Sequence, residues 1–446
     1  MDILGLVPAF GGFFFTVAAF VVALSIIVAV HEYGHYIVGR WSGIHADVFS
    51  IGFGPVLLSA TDRRGTRWQI AALPFGGYVK FRGDADAASA TGDQAAMADM
   101  NARARRSTMH GAPLWARAAT VAAGPAFNFV MAILVFGAFF LVRGVTTDQP
   151  VVGTIHPLPV ETQELRSGDL ILALEGIPTP DRQALSAAIE ALEATPVVTY
   201  RVDRSGSAMD VLGPWPRQPL ASSVNPQSAA RESGLQAGDV ILSIGGESVF
   251  AFDQLRDLVG ASEGAPLTLE VWREGRTFEA TLTPRRMDLP LPEGGFETRW
   301  LIGISGGLFF DGEARRPGAG EALWLGTQQT WFVASTSLSG LWHMIKGAIS
   351  SCNLRGPIGI AETSGAMAAD GLASFIWFIA VLSTAVGLLN LFPIPILDGG
   401  HLVFHAWEAV TGRPPSDGAL RILMAIGLAF LATLMLFAIG NDLFCP

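Results

Sequence analysis

Charge is what this sequence has little of. Only 15% of its 446 residues are Asp, Glu, Lys or Arg, against about 25% in an ordinary soluble domain, while half are hydrophobic. The charges lean acidic, 39 Asp and Glu against 29 Lys and Arg, for a net −10 at pH 7. A nucleic-acid partner needs a basic footprint, so that class is excluded. Cysteine is scarcer still. Cys352 and Cys445 are too few and too far apart in sequence for a disulfide framework or a cysteine-based zinc site, and they leave the redox compartment open. The N-terminus has no basic region and no small-residue cleavage site behind a short apolar core. The first apolar run is therefore expected to be a retained transmembrane segment, not a removed signal peptide.

Long apolar runs are abundant. Crossing a hydrocarbon core takes about 20 apolar residues, and four stretches qualify: Phe10 to Val30, Ala118 to Val142, Gly371 to Leu397 and Ile422 to Gly440. Four crossings put both termini on one side. Residues 1–11 hold no Lys or Arg, whereas the 40–117 connection holds ten, from Arg40 to Arg117. By the positive-inside rule that connection is cytoplasmic, and the termini and the 143–370 region lie outside.

The 143–370 region contains an internal repeat. Ser167-Gly168-Asp169-Leu170-Ile171-Leu172 returns 70 residues later as Ala237-Gly238-Asp239-Val240-Ile241-Leu242, and Gly176 returns as Gly246. Each copy reads as a turn, a strand, a Gly turn and a helix, near Arg182–Leu192 and Phe252–Val259. The pattern resembles tandem PDZ domains, over 144–217 and 218–288. Residues 289–370 are expected to be a linker followed by an amphipathic interfacial helix, with Trp324, Trp331, Leu338, Leu341, Trp342 and Ile345 at near-helical spacing. On the cytoplasmic side, Val48–Phe53, Val56–Ala60, Arg67–Ala72 and Gly77–Phe81 are β-like and punctuated by glycine. They suggest a membrane-associated or re-entrant hairpin, tolerated at depth only when packed on protein or lining a wet cavity. Residues 84–112 read as a mobile loop.

The chemistry centres on His31-Glu32-Tyr33-Gly34-His35. Histidines four apart share one helix face and reach one zinc ion, with the intervening Glu beside the open coordination position. Ionisable residues against an apolar run are costly unless functional or paired. A bland alternative is a polar cap on the span. A catalytic zinc takes a third protein ligand. His45 is near in sequence but lies in the β-like connection. Asp398 is the better candidate: it closes an uncharged run in which Pro393 and Pro395 interrupt the helix. Here too an ordinary helix end with a turn-forming Asp-Gly is the alternative.

Together these residues resemble the site-2 protease family of intramembrane zinc metalloproteases. The similarity is strongest to the bacterial regulator of sigma-E protease, which carries tandem PDZ domains. The motifs are HEYGH at 31–35, GFGP at 52–55, GGYVK at 76–80, GPAFN at 124–128, GPIGIAE at 356–362 and NLFPIPILDGG at 390–400. The resemblance implies that His31, His35 and Asp398 bind Zn2+ and that Glu32 is the catalytic base. It also implies that Asn390 helps bind substrate or steady the reacting carbonyl. Gly77, Val79, Pro393 and Pro395 are further substrate-binding candidates, the strand around Val79 pairing with an extended substrate. Asn128 is a weaker candidate for the same role as Asn390, the alternative being a hydrogen bond between helices. The implied substrates are single-span membrane proteins, anti-sigma factors after a first cut, and remnant signal peptides.

The expected architecture is a polytopic α-helical membrane protein of about four transmembrane helices, with a β-hairpin region and an inserted pair of extracytoplasmic PDZ domains (α+β). Its segments are a first helix (1–40), the hairpin and loop (41–117), a second helix (118–143), the insertion, a third helix (371–400), and a loop with a fourth helix (401–446). The implied location is a bacterial inner membrane, with the catalytic site toward the cytoplasm. An ion transporter would show inverted repeats among the spans, and none is visible. A silent PDZ scaffold has no use for Glu32 between two histidines.

Overall fold

The computed structural model describes residues 6–84, 100–290 and 296–445. Part of the expected mobile loop, 85–99, lies outside the described residues. The chain divides into two units. One comprises residues 1–139, 319–342 and 354–445, and the other 140–318 with 343–353.

Among the described residues four helices are long and apolar enough to cross a membrane, over Gly12–Trp41, Leu114–Arg143, Leu372–Asn390 and Gly418–Phe444. The first belongs to helix α1 (Leu6–Trp41), which runs unbroken through the His-Glu-x-x-His motif. At 36 residues it is about 54 Å long, well beyond a hydrocarbon core of about 30 Å. Gly43, at φ +82°, ends it.

Two strands follow, β1 (Ala46–Thr61) and β2 (Arg67–Phe81). Each bends on itself, so Ser50 faces Tyr78 on one side and Gln69 on the other, while Val56 to Thr61 pair with Ala71 to Arg67. The result is four short strands in the order 77–81, 46–51, 67–73, 56–61. They match the four β-like stretches of the sequence, and the bend at Gly52 brings it against the Ala71 and Leu73 carbonyls, where a Cβ would not fit. The near end of the sheet packs Phe49, Val79 and Phe81 on Tyr36 of α1. Met109 and Ala112 are buried in the same cluster, so the described part of the expected loop is anchored. At the far end Leu57 and Leu58 are exposed.

Besides the short Ala102–Arg106 turn, the remaining described helices of this unit are α2 (Leu114–Arg143), α5 (Ala319–Ile345), α6 (Pro357–Ala369), α7 (Leu372–Asn390), α8 (Asp398–Thr411) and α9 (Asp417–Phe444). α3 and α4 belong to the insertion below. Helix α5 stands where an interfacial helix was expected. It buries the small residues Ala322, Gly326, Thr330 and Ala334, with Gly326 against the backbone of Ile133 and Gly137 on α2. Trp324, Trp331 and Trp342 stay exposed. The GPIGIAE motif begins α6, whose first N–H groups need partners. Asp442 of α9 accepts from Gly356, Ile358 and Gly359 at 2.8, 3.0 and 3.1 Å.

The second unit contains two copies of one fold. The first has β3 (Leu170–Leu174), β4 (Ile177–Pro178), α3 (Arg182–Ala191), β5 (Val197–Arg204) and β6 (Ser207–Pro214), in the sheet order β4-β3-β5-β6. The second has β7 (Val240–Ile244), β8 (Glu247–Ser248), α4 (Phe252–Ala261), β9 (Leu267–Arg273) and β10 (Arg276–Leu282), in the order β8-β7-β9-β10. One buried device recurs. Asp169 is gripped by Arg204 at 2.8 and 2.7 Å, and Asp239 by Arg273 at 2.6 and 2.7 Å. Each carboxylate also accepts a backbone N–H, from Arg166 and from Gln236. Burial opposes the Asp169 charge, but the Arg204 fork and the Arg166 N–H outweigh it and hold the carboxyl below its usual range.

The first part of the expected 289–370 linker is woven into both copies. Ile304–Ser305 pairs with Ser223–Val224, and Phe310–Gly312 pairs with Val152–Ile155. Ile302 is buried in the core of the second copy, and Phe309 and Phe310 in that of the first. Ala314–Arg315 then pairs with Val145–Thr146, closing the insertion on a stem. Neither Cys352 nor Cys445 is a free thiol.

Candidate metal centre

His31 and His35 lie one turn apart on α1, so both imidazoles leave the same face. Their Nε2 atoms are 3.1 Å apart. Asp398 Oδ2 lies 3.1 Å from His31 Nε2 and 3.5 Å from His35 Nε2. Zinc with bonds of about 2.0–2.1 Å holds tetrahedral ligands about 3.3 Å apart, so these three atoms are spaced for one ion. Asp398 Oδ2 is buried and receives no hydrogen bond. Two imidazole nitrogens and an orphaned carboxylate oxygen converge where a cation satisfies all three. Three N/O ligands also leave a fourth position open, the pattern of catalytic zinc.

Asp398 reaches this point because α7 stops at Asn390 and α8 starts at Asp398. Pro393 and Pro395 occupy the non-helical turn between them. The turn folds back so tightly that a Cβ on Gly399 would strike the Leu391 and Phe392 carbonyls, and one on Gly400 would strike Ile394 and Pro395. Hence the glycine pair after the aspartate. Further along α8, Glu408 takes a two-pronged grip from Arg117 of α2, at 2.6 and 3.0 Å.

Helix α2 braces the histidines. Thr120, Gly124 and Asn128 are four apart and share one face. His35 Nδ1 donates to the Thr120 carbonyl at 2.8 Å, and the Asn128 side chain lies 3.2 Å from His31 Nδ1. Between them Gly124 lies directly against both imidazoles, leaving no room for a side chain. Ser383 of α7 donates to the Asn128 carbonyl at 3.0 Å, so α2 joins the two halves of the centre. Thr120 escaped the sequence reading, and Gly124 entered it only as the first residue of GPAFN. The signal available was a small residue and an amide four apart, facing the histidine motif.

Glu32 lies with its side chain against the sheet. The Val79 backbone N–H is directed at its carboxylate, and Gly77 lies against its side chain and that of Val28. The Val79 side chain is buried in the cluster around Tyr36, and its strand, 77–81, pairs with 46–51 on one side. Asn390 is not brought into hydrogen-bonding contact with the three ligands; its Nδ2 donates back to the Val386 carbonyl at 3.1 Å. His45 sits apart, 3.5 Å from Asp47. Burial, then the nearby Arg82, pushes its pKa down.

A sequence profile of peptidase family M50 matches residues 19–434. The chain belongs to peptidase family M50. It is 36% identical to "Putative zinc metalloprotease Atu1380" of Agrobacterium fabrum over 96% of this chain and 95% of that protein. It is 33% identical to "Regulator of sigma-E protease RseP" of Salmonella typhimurium over 95% of this chain and 97% of that one. "Protease RseP" of Yersinia pestis matches at 33% over 96% of this chain and 98% of its own length. This M50 peptidase is thus a zinc metalloprotease of the site-2 type, which works within a membrane. The His-His-Asp cluster is the one group of three or more metal-binding side chains found among the described residues.

Proposed function

We propose that His31, His35 and Asp398 hold the zinc, that Glu32 is the catalytic base, and that the enzyme cuts single-span membrane proteins inside their transmembrane segments. The observation that carries this reading is the convergence of the three ligand atoms at 3.1–3.5 Å on a helix apolar enough to cross a membrane. Zinc in this position supplies the Lewis acidity that lowers the pKa of water to about 7 and polarises a carbonyl. Glu32 accepts the proton of the attacking water as its oxygen bonds to the carbonyl carbon. It then delivers that proton to the amide nitrogen as the C–N bond breaks. The Val79 N–H steadies the carboxylate between these transfers.

A helical substrate must be locally extended before its carbonyl is reachable, and its freed backbone groups need partners because lipid offers none. We place the extended segment beside Gly77, where the sheet approaches Glu32, with the Pro393–Pro395 turn opposite and the Asn390 amide as a further partner. The substrates proposed are anti-sigma-type regulators after a first cut and remnant signal peptides, by similarity to relatives named for sigma-E regulation. The repeated insertion is proposed to be a tandem PDZ pair on the periplasmic side of an inner membrane, together with both termini. Support comes from the cysteines, since protein thiols are lost to disulfides chiefly in oxidising compartments and neither Cys352 nor Cys445 is free.

The test is Glu32→Gln. Loss of a general base costs about 10²–10⁴-fold in rate, and zinc content should stay at the wild-type value because every ligand remains. Cleavage of a single-span substrate at near wild-type rate would remove Glu32 from the mechanism.

A further inference from the structure

We infer that Asn128 is a positioning residue that sets the tautomer of His31, with its amide oxygen, not its nitrogen, turned to the ring. The inference rests on the zinc reading of the centre. Asn128 is fully buried. Its side-chain nitrogen lies 3.2 Å from His31 Nδ1, and its Oδ1 is buried with no hydrogen-bond partner. With the nitrogen donating to Nδ1, a neutral His31 must carry its proton on Nε2. Nε2 is the atom that faces His35 and Asp398, so that proton would block the metal.

Zinc binding through Nε2 needs the opposite tautomer, with the proton on Nδ1. Nδ1–H then requires an acceptor, and an amide nitrogen has none to give. Exchanging the oxygen and nitrogen of Asn128 by a half-turn of the amide keeps its shape. It brings Oδ1 to Nδ1 and forms the missing hydrogen bond. Nothing is lost on the other side, because the atom there has no partner in either orientation. His35 shows the same logic already complete, with Nδ1 donating to a carbonyl that only accepts. The two ligands are thus oriented by two acceptors eight residues, about two turns, apart on α2, one from the backbone and one from a side chain.

The two orientations make opposite predictions for Asn128→Asp. A carboxylate is an acceptor only, so it can replace Oδ1 but not the amide nitrogen. The experiment is zinc retention by the full-length protein in detergent, read by chelator competition, together with the rise in thermal midpoint on zinc addition. Asn128→Asp should hold zinc at least as tightly as wild type. The similarly shaped Asn128→Leu should lose about 10–100-fold in affinity, as removal of an outer partner of a metal-bound histidine does. Equal loss in both variants overturns the inference, as does undiminished affinity in Asn128→Leu. If the Leu variant does not fold, weakened zinc binding by Asn128→Asp alone overturns it. A wild-type protein that takes up no zinc would overturn the metal-centre reading itself, and this inference with it.

Discussion

His35 donates its Nδ1 proton to the carbonyl oxygen of Thr120 at 2.8 Å. The bond fixes the ring so that Nε2 faces Asp398 across 3.5 Å. It joins two membrane-spanning helices at the depth of the reaction, and it depends on α1 and α2 coming very close.

Gly124 is what permits that approach. Gly124→Ala puts a methyl group into both imidazoles, and overpacking of this kind costs about 1–3 kcal/mol. The expected outcome is a protein that still inserts in the membrane but binds substoichiometric zinc and cleaves poorly. Metal content per polypeptide checks it; full zinc occupancy with full activity would show that α1 and α2 can separate without consequence.

Asp398→Ala should release the metal. Two histidines alone make a poor site, and loss of a direct ligand is expected to exceed the roughly 100-fold that an outer partner is worth. His45, held beside Asp47, is not available to replace it. Unchanged zinc stoichiometry in the purified variant would point to a different third ligand.

The repeated Asp–Arg grip predicts a pH signature in the insertion. The carboxyl of Asp169 is held below its usual range in the folded state, so its contribution to stability is fully present above the unfolded value of about 3.9. It is lost as pH falls through the folded value. Asp169→Asn should therefore lower the thermal midpoint near neutrality, with the gap to wild type closing in acid below pH of about 4. A gap of constant size from neutral pH to pH 3 would remove the charge from the explanation.

The insertion is proposed to exclude substrates with bulky external domains, and its boundaries make a clean test. Removing residues 147–313 leaves the Val145–Thr146 and Ala314–Arg315 stem closed, and cleavage of untrimmed substrates should then appear. Removing only 151–285 leaves Ile304–Ser305 and Phe310–Gly312 without their present roles and should yield misfolded protein. If the 147–313 deletion folds and still cuts only trimmed substrate, the gate lies elsewhere.

Local spacing made much of this legible in the sequence. Two histidines four apart specify a shared helix face, two prolines specify a helix break, and an Asp-Gly-Gly specifies where the next helix can start. The repeat was visible because both copies keep the same turn and strand, and even the Arg partners of Asp169 and Asp239 recur at nearly the same offset. Contacts between distant segments were not legible. Asn128 reads as a generic inter-helix amide until the rotation of α2 about its axis is known. The stretch from Ile304 to Arg315 reads as a linker because its pairing partners lie some 80 to 170 residues earlier. The burial of the Val79 side chain against Tyr36 was not legible either, because the path of α1 alongside the strand has no local signature.

The central claim is best tested by mapping the cut. Wild-type protein and Glu32→Gln are reconstituted with zinc in liposomes with a single-span substrate, and the product termini are read by mass spectrometry. The account predicts new termini inside the apolar segment for wild type and none for Glu32→Gln, with zinc bound in both. Cleavage confined to residues outside the apolar segment, or the same internal termini from Glu32→Gln, would contradict it.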